Sequence, residues 1–133
     1  MAEGLEILVL DDERTVGDRL KPALEADGHR VETFTDPRKA LNRLDEKTFD
    51  IVITDVRMKE IDGIQVLEHV RAGSERTKVL MVTGYATMEL AREALTKGVF
   101  DFIAKPFKLR DIREMVGRAG EALEREDRSG KGD

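Results

Sequence analysis

Asp11 and Asp12 follow the apolar run Ile7–Leu10, and Asp55 follows Ile51–Thr54. Thr83 closes the run that begins at Val79, and Lys105, ahead of Pro106, comes just after Phe102 and Ile103. Each of these residues sits where a short buried strand would end. In an open parallel sheet such ends share one edge, and ligands bind in the crevice there. The set suits phosphoryl transfer. A carboxylate such as Asp55 can attack phosphorus and form an acyl phosphate. Because the carboxylate and the incoming group repel, a cation is needed between them. Mg2+ takes near-octahedral oxygen ligands, commonly one or two carboxylates with water and phosphate oxygens. Asp11, Asp12 and Asp55 would supply those carboxylates. The Thr83 hydroxyl and the Lys105 ammonium would meet the phosphoryl oxygens as preorganised donors, and Gly84 would leave room for the group. Taken singly, each residue has a plainer role: a helix cap or turn for the aspartates, a strand end for Thr83, a surface turn for Lys105.

The elements that must position these residues are legible as alternation. Ile7–Leu10, Ile51–Thr54, Val79–Thr83 and Phe100–Ala104 are close to continuously apolar, as in strands buried on both faces. Val31–Phe34 alternates and reads as an edge strand. Between the runs lie helical patterns. Val16, Leu20, Ala23 and Leu24 end at Gly28, with Pro22 inside the pattern and a kink expected there. Asp36–Pro37 reads as cap and first helical residue, and Asp62–Gly63 opens a third helix. Thr87 precedes a fourth that ends near Gly98, and Ile112, Val116, Ala119 and Leu123 mark one face of a fifth. Strands alternating with helices imply right-handed βαβ units and a parallel sheet with helices on both faces. Residues 1–125 read as one domain, and the polar, glycine-bearing stretch 126–133 is expected to fray as a tail or linker stump.

Bulk properties bound the function. The 133 residues suit a single domain, and 38% are charged, which fits long solvated helix faces. With a net charge of −5 and no basic block, direct nucleic-acid binding is not expected. The chain has no cysteine, so disulfides and thiolate metal sites are excluded. No apolar stretch reaches membrane-spanning length and no signal-peptide pattern opens the chain, so a cytoplasmic protein is expected. His29 and His69 read as surface residues without a catalytic role.

Together, the pair Asp11–Asp12, Asp55 in "IVITDVRM", "IDG" at 61–63, "MVTGYA" at 81–86 and "DFIAKPF" at 101–107 resemble a bacterial two-component response-regulator receiver domain. The wording is most similar to receivers of the enhancer-binding transcription-activator type. The resemblance spans residues 5–124. It implies a doubly wound, flavodoxin-like α/β fold, with five parallel strands in the order 2-1-3-4-5. It also implies a signalling switch rather than an enzyme. Asp55 would accept phosphate from a sensor histidine kinase. Mg2+ would be held by Asp12 directly, Asp11 largely through water, Asp55, and the backbone carbonyl of Arg57. Thr83 and Lys105 would contact the phosphoryl oxygens, and Thr83 with Phe102, the family's rotating aromatic, would form the switch. Output would pass to a partner or domain outside this chain, with a homodimer through the fourth helix, fifth strand and fifth helix as one possibility. Lys59 stands where the family usually has proline, and Phe102 lacks the hydroxyl of the commoner tyrosine. Arg57 and Tyr85, flanking the site, are expected to restrict water and slow hydrolysis of the acyl phosphate.

Other classes fit less well. An aspartate-nucleophile phosphatase needs a second carboxylate two residues after the nucleophile, where this chain has Arg57. A flavin carrier would cradle phosphate in its first loop, where Asp11, Asp12 and Glu13 would repel it. A receiver-like binding module that is never phosphorylated usually lacks an acidic or lysine position, and none is missing here.

Overall fold

Apolar runs with short polar connections collapse most cheaply as strands shielded by helices on both sides, and the chain does this throughout. The computed structural model describes residues 4–58, 60–84 and 88–131. In chain order the elements are β1 (Glu6–Leu10), α1 (Arg14–Ala26), β2 (Arg30–Phe34), α2 (Pro37–Glu46), β3 (Ile51–Thr54) and α3 (Gly63–Gly73). They continue as β4 (Lys78–Thr83), α4 (Met88–Thr96), β5 (Asp101–Ala104) and α5 (Leu109–Lys131). The strands form one parallel sheet in the order β2-β1-β3-β4-β5. Strand order therefore reverses between β1 and β3, which opens a crevice at their carboxyl ends.

Alternation along the strands divides the core in two. Ile7, Val9, Ile51, Ile53, Leu80 and Val82 face α1 and α5, where Leu20, Leu24, Ile112 and Val116 pack against them. Leu8, Leu10, Val52, Val79 and Met81 face α2, α3 and α4, meeting Ala40, Val66, Leu67 and Ala94. Burying one such aliphatic side chain contributes roughly 1.5–3 kcal/mol, so each face has ample drive to hold its helices.

Local signals set the helix ends. Asp36 caps α2 by accepting from the Arg38 amide at 3.0 Å, with Pro37 as the first helical residue. Asp62 and Gln65 form a reciprocal capping box at α3. Gly28 and Gly98 follow α1 and α4 with φ of 94° and 90°, conformations that glycine adopts without steric cost.

Helix α1 spans Arg14–Ala26 with Pro22 inside it. Helix α5 runs past Arg125 to Lys131, into the stretch read as a tail. Arg76 donates from Nε and Nη2 to the two oxygens of Asp127, both at 2.8 Å, and Lys78 pairs with Glu126. These contacts tie the polar end of the helix to the start of β4. Strand β5 is not buried on both faces, because it pairs only with β4 and forms the second sheet edge. His29 is buried, and its Nδ1 accepts from the Leu5 amide at 3.3 Å. His69 is half-exposed beside Asp45. Lys59, Tyr85 and Thr87, to which expectations were attached, lie outside the described residues.

Candidate functional site

At the carboxyl edge of the sheet the parallel register brings distant residues level. The Asp55 amide donates to the Leu10 carbonyl at 3.0 Å, so the turn after β3 lies against the end of β1. The Lys105 amide donates to the Thr83 carbonyl at 2.9 Å, which fastens the end of β5 to that of β4. The Lys105–Pro106 peptide is cis. The backbone therefore delivers Asp11, Asp55, Thr83 and Lys105 to one rim before any side chain interacts.

The side chains then converge. Lys105 Nζ lies 2.8 Å from Asp11 Oδ2, 3.0 Å from Glu13 Oε1 and 3.2 Å from Asp55 Oδ2. Asp11 is 3% exposed and Asp55 6%, whereas Asp12 is exposed. Asp55 Oδ1 accepts from the Val56 amide at 2.7 Å, and Asp11 Oδ1 from the Glu13 amide at 2.9 Å. The Thr54 hydroxyl donates to the Asp55 carbonyl at 2.8 Å. Both buried carboxylates thus have one oxygen fixed by backbone and the other turned toward Lys105.

Thr83 is fully buried at the end of β4. Strand alternation places it on the face of Val79 and Met81, the same face on which Phe102 packs, partly buried. Phe102 pairs in register with Met81 and Ala104 with Thr83, so the hydroxyl and the aromatic ring are near neighbours on one sheet face. A Cβ added at Gly84 would meet nothing within 4 Å, so there is open space beside Thr83. Arg57 is exposed and, with Asp12 and Val56, lines an open groove of about 960 Å³. Asp62, Glu68, Glu89 and Glu93 give that groove an acidic wall.

Sequence reasoning missed two residues. Gly63 is required by close approach: a Cβ there would sit 2.4 Å from the Asp55 carbonyl oxygen and 2.8 Å from Val56 Cα. Its amide donates to the Val56 carbonyl at 2.8 Å, which holds the start of α3 against the turn that carries Asp55. The glycine after the Asp62 cap was the available signal. The other is Glu13, read only as part of an acidic turn, whose carboxylate reaches Lys105 across 92 positions of sequence. No local pattern points to that contact.

Electrostatically the rim is short of positive charge. Burial pushes the Asp11 carboxyl above its ordinary range, and the nearby Asp55 charge adds to this, although Lys105 and the Glu13 amide oppose it. Burial works against the Lys105 ammonium, but its interactions with Asp11 and Glu13 and the Asp55 charge outweigh this and hold it above the usual lysine range. Asp11 Oδ2 is close enough to Lys105 for a hydrogen bond but the angles are not those of one, so this buried oxygen lacks an aligned donor. Carboxylate oxygens of Asp11, Asp12 and Asp55 lie within 4.8 Å of one another. Hard oxygen donors, excess negative charge and an oxygen without an aligned donor fit a divalent cation such as Mg2+.

The chain as a whole is similar to known proteins. The chain is 39% identical over 113 residues to the regulatory protein AtoC of Escherichia coli (strain K12), covering 85% of this chain and 24% of that protein. It is 34% identical over 113 residues to the transcriptional regulatory protein FixJ of Bradyrhizobium diazoefficiens, covering 85% of this chain and 55% of FixJ. It spans about a quarter of the length of the AtoC and ZraR relatives. Among solved structures, a CheY-like receiver domain protein from Methanospirillum hungatei JF-1 superposes with a TM-score of 0.89 at 28% identity, over 93% of this chain and 99% of that one. NtrX from Brucella abortus superposes at 0.90 and 27% identity, over 98% of this chain and 30% of NtrX. Residues 7–117 match the response regulator receiver domain, and with the strand order and the acidic rim already in place, the chain belongs to that family.

Proposed function

We propose that this receiver is a phosphorylation switch with Asp55 as phosphoacceptor and a sensor histidine kinase as donor. The observation that carries the reading is the position of Asp55, beside the Lys105 ammonium at 3.2 Å and with a carboxylate oxygen within 4.8 Å of those of Asp11 and Asp12. In the transfer, an Asp55 oxygen forms a bond to phosphorus as the bond from phosphorus to the kinase imidazole breaks. The electron pair returns to the imidazole. Asp11, Asp12, Asp55 and the Arg57 carbonyl would hold Mg2+, which when bound supplies positive charge against the phosphoryl oxygens. Thr83 and Lys105 donate to those oxygens. Arg57 and Tyr85 limit access of water.

The acyl phosphate then acts as a local charge. Thr83 moves toward it, and Phe102, on the same sheet face, takes up the space released. The surface of α4, β5 and α5 changes packing, as a shift between two populations. Taking the ratio from 1:99 to 99:1 needs ~5.5 kcal/mol. Two or three charge-assisted hydrogen bonds at roughly 1.5–3 kcal/mol each approach that figure. This surface would meet a second copy of the chain or an output domain. The similarity to transcriptional regulatory proteins supports a gene-regulatory output of the enhancer-binding kind, acting in the cytoplasm without direct DNA contact by this domain. Among the described residues no helix is long and apolar enough to cross a membrane.

Intact-mass measurement after treatment with acetyl phosphate tests the reading. Wild type gains one phosphoryl group with Mg2+ present and none after chelation, and Asp55→Asn gains none. An unchanged wild-type mass with Mg2+ favours the unphosphorylated binding module instead.

A further inference from the structure

Lys105 carries three N–H donors on its ammonium. In the structure they face three carboxylates, and the aligned hydrogen bonds go to Glu13 at 3.0 Å and Asp55 at 3.2 Å. The shorter of the two therefore belongs to Glu13, outside the acid set expected to bind metal.

Glu13 is an unusual partner. It occupies the N-cap position of α1, where a carboxylate ordinarily accepts from the free amides of the first turn. Its side chain makes no such bond. Its backbone is fixed independently, through its amide to Asp11 Oδ1 at 2.9 Å. The side chain is 63% exposed, against 2% for Asp11 and 8% for Asp55. Glu13 can therefore release Lys105 into water at little cost, and neither the helix nor the loop depends on it. The two buried acids have no such freedom.

Resting on the proposed phosphoacceptor role of Asp55, we propose that Glu13 is a positioning residue that holds Lys105 in the resting state and competes with the phosphoryl group for it. When a phosphoryl group sits on Asp55, its oxygens need the ammonium. The exposed acceptor yields, and Lys105 exchanges Glu13 for a phosphoryl oxygen. Glu13 thus sets part of the free-energy difference between the two states, acting through Lys105 rather than on phosphorus.

Beryllofluoride, a stand-in for the phosphoryl group, provides the test. Its affinity is measured at saturating Mg2+ by amide-resonance titration for wild type, Glu13→Gln and Glu13→Asp. Glu13→Gln is expected to bind about two- to fivefold more tightly, the range set by one partly exposed ion pair. Glu13→Asp keeps the charge but withdraws the carboxylate by one methylene, into cap range of α1, so it is expected to tighten binding as Gln does. Unchanged or weaker binding by Glu13→Gln overturns the proposal. Tightening by Gln with Asp behaving as wild type also overturns it, because general charge would then account for the effect. Failure of wild type to bind, or binding retained in Asp55→Asn, would overturn the phosphoacceptor reading itself and is distinct from either outcome.

Discussion

The two ends of the sheet carry charge networks of opposite character. At the amino-terminal end acids and bases are matched. Glu6 pairs with Arg30 and Lys47, Glu32 with Arg43, and Arg76 bridges Asp50 at 2.6 Å and Asp127 at 2.8 Å. There the Lys47 hydrogen bond and the Arg30 contacts hold the Glu6 carboxyl below its ordinary range despite some burial. The Asp127 and Asp50 contacts hold Arg76 above its own. At the carboxyl-terminal end Asp11, Glu13 and Asp55 converge on the ammonium of Lys105, an Asp12 carboxylate oxygen lies within 4.8 Å of those of Asp11 and Asp55, and burial pushes Asp11 the other way. The matched end is complete as folded. The unmatched end has a net demand for cations, which is the condition a metal-dependent phosphoryl site needs. The same residue types therefore stabilise at one end and are poised at the other, and the difference lies in burial and stoichiometry.

Four measurements sharpen or break that contrast. The largest effect is expected for Gly63→Ala, because the new Cβ meets backbone atoms at 2.4 and 2.8 Å. We expect a loss of about 1–3 kcal/mol in urea unfolding, with reduced phosphoryl uptake as the Asp55 peptide shifts. A neutral result would mean that α3 does not brace the site. Next, Arg76→Ala leaves Asp50 and Asp127 without their shared guanidinium. A loss of about 1–2 kcal/mol is expected, with beryllofluoride affinity unchanged, since the matched end has no part in the chemistry. A large change in affinity would show that the two ends are coupled.

Asp11→Asn removes a buried charge from the unmatched end. In metal-free buffer it should raise stability, by about 1 kcal/mol, and the advantage should shrink or reverse with Mg2+ if, as proposed, the Asp11 carboxylate helps to hold the ion. Destabilisation in metal-free buffer would show that Lys105 already neutralises the rim. The smallest effect concerns pH. The ordinary Glu6 value is 4.5 and the fold lowers it. Its contribution is therefore present above pH 4.5 and lost as pH falls through the lowered value. Glu6→Gln should accordingly flatten the acid limb of the stability profile, by less than about 1 kcal/mol because the pair is partly exposed. Equal limbs in both proteins would remove Glu6 from the account.

Much of this was legible in residue order. Asp11, Asp55, Thr83 and Lys105 each follow an apolar run, and runs of that length between helical patterns have few ways to pack. The caps at Asp36 and Asp62 were legible because capping is a local interaction. The extension of α5 was not, since Glu126 and Asp127 look like tail until Lys78 and Arg76 are placed beside them. Nor was the buried His29, whose partner amide at Leu5 is set by the pairing of β1 with β2.

The amino-acid sequence alone determined which donors arrive at the sheet edge and in what order, because strand and helix periodicity and connection handedness are short-range properties. Only the tertiary structure decided how they share charge. Whether Lys105 holds Glu13 as well as Asp55, whether Asp11 has an aligned donor, and why residue 63 must be glycine depend on separations of a few ångströms between residues far apart in the chain. Electrostatic and steric energies change steeply over those distances, and no pattern of neighbours in sequence encodes them.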